Sequence, residues 1–119
     1  MNAAAVEGTC RAATARVTVI CALPSEAAPL VRHWRLQATR DRPFKLFESA
    51  DRRVIVSGIG SHSSAVAVGF AAGLNEARTD DIWLNAGLAG HAELALGTAV
   101  VADRISHHGR DGVDRKSVV

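Results

Sequence analysis

The sequence predicts an α/β domain built on a mixed, largely parallel sheet, and three observations carry that expectation. Short apolar runs, Arg16 to Ala22, Arg53 to Ser57 and Asp80 to Leu84, alternate with longer segments of helical period, the rhythm of β-α-β units. Two of those runs end in glycine-spaced turns, Ser57-Gly58-Ile59-Gly60 and Asn85-Ala86-Gly87-Leu88-Ala89-Gly90. Between the turns lies a small-residue segment from Ser61 to about Ala77, slim enough to rest closely on a sheet. Glycine reaches φ > 0 and admits close approach to the backbone. Open α/β sheets bind their ligands at the carboxyl ends of strands, so both turns are candidate binding loops.

Each element has its own signal. Arg16 to Ala22 is β-branched and uncharged after Arg16, the pattern of a buried strand. The period then switches: Leu23, Ala27, Leu30, Val31 and Trp34 share one helical face, with Arg32, His33 and Arg35 opposite. Pro24 suits the helix start, where its missing N–H has no intrahelical partner anyway, and Pro29 allows a slight kink. Gln37 to Pro43 reads as a polar connection. Phe44 to Glu48 and Arg53 to Ser57 form a hairpin turned at Ser49-Ala50-Asp51-Arg52. In the second helix Val66, Phe70 and Leu74 define the apolar stripe, and Ser61, Ser63 and Ser64 are capping candidates. Asp80 to Leu84 and Gly97 to Asp103 are further buried strands, and Trp34 and Trp83 are assigned to the core.

Composition excludes several functions. With 119 residues the chain holds at most one modest domain, and 48% hydrophobic against 22% charged residues favours a packed core over disorder. A net charge of +2, scattered arginines and 4% aromatics offer no stacking platform for nucleic acid. No stretch has the apolar length to span a bilayer. Cys10 and Cys21 are too far apart for a C-x-x-C motif and read as reduced thiols of a cytoplasmic protein. Met1 to Ala15, with Glu7 and Arg11, lacks the unbroken apolar region of a signal peptide and reads as a loose extension or a start codon called too early. Ser63 stands where a G-x-G-x-x-G fingerprint needs glycine or alanine, so a dinucleotide site is not expected. Adjacent His107 and His108 point to opposite faces of a strand, and a metal shared with His91 and Asp103 is not expected either.

Four motifs in order resemble the nucleoside phosphorylase and nucleosidase family, in its 5'-methylthioadenosine/S-adenosylhomocysteine nucleosidase-like branch. They are Ile20-Cys21-Ala22-Leu23-Pro24-Ser25-Glu26, Ser57-Gly58-Ile59-Gly60, Asn85-Ala86-Gly87-Leu88-Ala89-Gly90 and Gly97-Thr98-Ala99-Val100-Val101. The resemblance runs from about Arg16 to Gly109. It implies a three-layer nucleoside phosphorylase-like fold and cleavage of an N-glycosidic bond without cofactor or metal. Glu26 would activate the attacking water. Ala22, Leu23, Ile59, Gly60, Gly87, Leu88, Ala89 and Gly90 would line the site of a purine nucleoside or thio-nucleoside. The resemblance also implies a homo-oligomer.

Departures from the pattern sort the activities. Phosphorylases of this family hold phosphate with an arginine and a serine at positions that are Asn85 and Leu88 here. A phosphate dianion needs charge-assisted hydrogen bonds, which a leucine side chain cannot supply, and Glu26 would repel it. Hydrolysis is therefore the first reading and phosphorolysis the third. Between them stands a catalytically dead nucleoside-binding or structural homologue, because Leu88 replaces a serine and Thr98 an aspartate that the nucleosidases keep. The family's ribose-holding glutamate and leaving-group acid would lie beyond Gly109, so residues 16–113 are expected to be a partial, inactive domain. Residues 114–119, Asp-Arg-Lys-Ser-Val-Val, match the translation of a common sequencing-adapter DNA and are expected to be foreign to the gene.

Overall fold

A computed structural model describes residues 15–74 and 81–106 and the backbone of 117–118. The chain divides into two units, Met1–Leu88 and Ala89–Val119. In the first, β1 (Val17–Cys21) leads into α1 (Pro24–His33), followed by β2 (Gln37–Arg40), β3 (Lys45–Glu48), β4 (Arg52–Val56), α2 (Ser61–Gly73) and β5 (Ile82–Asn85). The five strands form one mixed sheet in the order β2-β3-β4-β1-β5. β1 pairs in parallel with β4 and β5, in registers that set Val19 beside Val54 and Leu84. The other two contacts, β2 with β3 and β3 with β4, are antiparallel.

Alternation along β1 and β4 sends successive side chains to opposite faces, and a helix covers each face. Val19, Cys21, Val54 and Val56 pack with Ala27 of α1 and Leu36, flanked by Leu30, Val31 and Trp34. Ile20, Leu46 and Ile55 pack with Ala67 and Ala71 of α2, flanked by Phe44, Val68 and Phe70. The result is a compact α/β domain with a helix on each side of the sheet.

α1 starts at Pro24, as the sequence predicts, with Leu23 extended before it rather than on the helical face, and continues through Pro29. It ends at His33 with Trp34 as C-cap, and Arg35, two residues past its end, adopts φ +53. The Leu36 N–H donates to the Val31 carbonyl at 3.0 Å and the Arg35 N–H to that of Arg32 at 3.2 Å. That pair of bonds is a Schellman closure, and it turns Leu36 into the core.

Several expectations are corrected. Gln37–Arg40 is a strand, not a polar connection; as the sheet's outer strand it is wholly exposed and carries no alternation that would betray it. Of the expected α2 stripe, Phe70 and Leu74 flank the core, but the fully buried positions are Ala67 and Ala71 and Val66 is 62% exposed. Small side chains let the helix backbone approach the sheet, so the closest face is the slim one. α2 is capped by Gly60, not by a serine, and its described part ends at Gly73 with Leu74 as C-cap; 75–80 lie outside the described residues. β5 is exposed at every position, so Trp83 is not core; the Arg53 guanidinium lies 5.8 Å from its ring. Arg53 itself is buried, its Nε donating to Thr18 Oγ1 at 3.3 Å.

In the second unit the strand expected over Gly97–Asp103 shrinks to β6 (Ala102–Arg104), which pairs antiparallel with β7 (Ser117–Val118). Val100 and Val101 are exposed rather than buried. His91 Nδ1 accepts the N–H groups of Glu93 and Leu94 at 3.0 and 3.1 Å, which makes it a turn-forming residue. Cys10, His107 and His108 lie outside the described residues. Among those described, no group of His, Cys, Asp and Glu could hold a metal, and no helix is long and apolar enough to cross a membrane.

Candidate functional site at the carboxyl edge of the sheet

Because β4, β1 and β5 run parallel, their carboxyl ends share one edge, and the ladder continues past each strand. Cys21 and Ala22 carbonyls accept the N–H groups of Ser57 and Gly58 at 2.8 and 3.1 Å, and the Ile20 carbonyl accepts that of Ala86 at 3.0 Å. The turn after β4 leaves the sheet through two left-handed glycines, Gly58 at φ +84 and Gly60 at φ +101. An L-residue is strained there, which accounts for the G-x-G spacing. Gly60 opens α2, whose first N–H groups have no intrahelical partners.

An open cleft of about 450 Å³ lies at this edge. Ala22 and Asn85 form its floor at the ends of β1 and β5, Ser57, Gly58 and Gly60 one wall, and Ser61, Ser64 and Ala65 the first turn of α2. Ser57 is buried and donates its hydroxyl hydrogen to the Gly58 carbonyl at 2.8 Å. The cleft therefore offers small side chains, hydroxyls, an amide and main-chain donors, with no ionisable side chain among its lining. It suits a neutral polar ligand.

Glu26 sits in a second neighbourhood at the same edge. Its position, third in α1, lets Oε2 accept the Leu23 N–H at 3.0 Å, one half of a capping box. Its Oε1 reaches across to accept the N–H of Leu88 at 3.0 Å, 62 positions along the chain. The Leu88 bond, then the Leu23 bond, and less strongly Ala22, favour the carboxylate and hold its pKa below the ordinary range. Gly87 makes the reach sterically feasible: a Cβ there would stand 3.1 Å from Oε1, with Glu26 supplying each of the nearest atoms. Beneath it, the thiol of buried Cys21 is pushed up by burial and, secondarily, by the Glu26 charge.

The residues singled out in the sequence thus separate. Ala22 and Gly60 line the cleft; Leu23, Glu26, Gly87 and Leu88 form the carboxylate cluster through backbone groups, the Leu88 side chain being 87% exposed. Ile59 points into solvent, not into the cleft lining. Ala89 and Gly90 open the second unit and are exposed. Ser57 and Asn85 line the cleft from the two turns expected to be binding loops, whereas Ser61 and Ser64 line it without having been assigned to the site; their i, i+3 spacing beside the glycine turn was the available signal. No protein-family model, curated protein or solved structure matches the chain.

Proposed function

We propose that this edge is the nucleoside-facing part of a purine nucleoside or thio-nucleoside N-glycosidase of the nucleoside phosphorylase family. The observation that carries the reading is the convergence of three parallel strand ends, a left-handed glycine turn and Glu26 on one edge, beside a cleft without ionisable lining. A neutral nucleoside is matched to such a cleft by hydroxyl, amide and main-chain hydrogen bonds. Glu26 is the one described carboxylate at this edge and the group to activate water. The ribose-holding glutamate and leaving-group acid implied by the resemblance are not among the residues gathered here. Cleavage needs that acid, since an unprotonated purine anion leaves poorly.

A second reading, a nucleoside-binding homologue without catalysis, is favoured by the two hydrogen bonds on Glu26. A carboxylate whose proton affinity is lowered is a weaker base, and a general base works best with a pKa near the operating pH.

Two measurements test these readings. Titrating the isotopically labelled chain with adenosine and 5'-methylthioadenosine is expected to shift the amides of Ala22, Gly58, Gly60 and Asn85; silence at all four would sink both readings. Purine release by the protein encoded at the source locus separates them. Under the first reading Glu26→Gln lowers turnover by about 10²–10⁴-fold, the usual worth of a positioned base, with little change in affinity for an uncleavable analogue. Binding without turnover in the wild type selects the second.

A further inference from the structure

Glu26 is bonded in a way that neither a helix-start acid nor a resting general base requires. A first-turn glutamate is satisfied by its own cap, and Oε2 on the Leu23 N–H meets that need. Oε1 does something else: it spans to a turn that follows a different strand, at a point where the chain carries no Cβ to obstruct it. The bond to the Leu88 N–H is an exposed one, and Leu88 itself is 87% exposed, so a molecule from solution can approach it.

We propose that Glu26 is a releasable latch: Oε1 holds the Ala86–Leu88 turn against the start of α1 until a ligand hydroxyl takes over the Leu88 N–H. The identity of that ligand, a ribose-bearing molecule, rests on the nucleoside reading above; the latch itself does not. The main-chain donor stays paired through the exchange, because it passes from a carboxylate to a hydroxyl oxygen while Oε2 keeps Leu23. An anion is a poor replacement, since it would meet the freed Oε1 charge, and an apolar group would leave the donor unpaired. In the latched state each carboxylate oxygen already accepts a main-chain N–H, which weakens the group as a base. Release of Leu88 strengthens it, so the base gains strength after ligand has entered.

A latch that competes with ligand reduces apparent affinity by the fraction of molecules that are open. Gly87→Ala is the informative variant, because the added methyl would stand 3.1 Å from Oε1 and oblige it to give by a few tenths of an ångström, loosening the latch while retaining the carboxylate. Hydrogen exchange at the Leu88 amide of the full 119-residue chain is expected to quicken about tenfold or more in Glu26→Ala and in Gly87→Ala, with the Val54 and Ile55 amides unchanged as a control on folding. If Glu26→Ala fails that control, Gly87→Ala alone decides. Adenosine, the probe ligand, is expected to bind Gly87→Ala severalfold more tightly than the wild type. Unchanged Leu88 exchange overturns the latch. Quickened exchange with equal or weaker adenosine binding overturns it too, leaving Glu26 as a fixed brace. Quickened exchange with no adenosine binding in any form keeps the turn contact but removes the nucleoside reading and the proposed ligand with it.

Discussion

Strands β4 and β5 lie on either side of β1, both parallel to it, both apolar, and both leading into glycine turns. Their environments are opposite. In β4 the core residues Val54 and Ile55 are 0% exposed, while in β5 Leu84 is 47% exposed. β4 has β3 on its far edge and rests under both helices; β5 ends the sheet. An apolar run states that a strand is compatible with burial, but whether burial occurs depends on neighbours supplied from elsewhere in the chain. An exposed apolar edge is also a template for pairing with another chain.

Truncation should expose this contrast most sharply. Ile55→Ala is expected to destabilise the chain by about 2–5 kcal/mol, as for other buried aliphatic truncations, whereas Leu84→Ala should stay within about 1 kcal/mol, near the range of surface changes. Paired urea denaturation curves measure both. Equal losses would mean that β5 is covered in solution, and the comparison would collapse.

Next in size is the cover over β4. Ala67 and Ala71 are buried where α2 meets the sheet, so Ala67→Leu is expected to cost about 1–3 kcal/mol by overpacking. Val66→Leu on the same helix should be nearly neutral, within about 0.5 kcal/mol. A neutral Ala67→Leu would show that α2 can lift from the sheet without penalty.

The turns that end the two strands differ in a smaller way. Gly58 is left-handed, so Gly58→Ala is expected to cost about 1–2 kcal/mol through the backbone alone, although its Cβ would meet Ser63 only at an ordinary 3.7 Å. Gly87 has no positive φ, and Gly87→Ala should act through Glu26 instead, with a smaller loss in the melting temperature. A larger loss at Gly87 than at Gly58 would reverse that ranking.

The smallest effect concerns acid. The folded state holds the Glu26 pKa below its ordinary range, so its contribution to stability is present above the unfolded pKa and fades as pH falls through the folded one. The Leu88 amide shift is expected to follow that titration at the acid end, and Glu26→Gln should flatten it. A Leu88 shift that titrates identically in the variant would remove Glu26 from the end of β5.

The same contrast explains what could be read in the sequence. β1, α1, the β3–β4 hairpin and α2 were legible because each pairs a period with a local start or stop signal: Pro24, the Ser49–Arg52 turn, Gly60. β2 was missed because an exposed outer strand needs no apolar alternation, only backbone groups for β3 to pair with. Of the α2 stripe, Phe70 and Leu74 pack against the core and only Val66 faces out, because close packing on a sheet selected alanine where hydrophobicity ranks valine higher. Burial of β5 was overstated because cover is a property of the assembled layers. At the candidate site, position was legible and partnership was not. Glu26 and Gly87 could each be placed at the carboxyl edge from motif and topology, but the Oε1 bond to Leu88 joins residues far apart in sequence and leaves no local pattern.

Cys21 makes that edge observable in time. Its side chain is buried beneath Glu26 at the last residue of β1, and both burial and the neighbouring charge keep it protonated. Alkylating reagents attack thiolates, so its labelling must wait for the strand end to open and the proton to leave. The rate of that reaction, resolved from Cys10 by peptide mass, is therefore a built-in stopwatch for the edge. It can time opening in any variant without adding a probe.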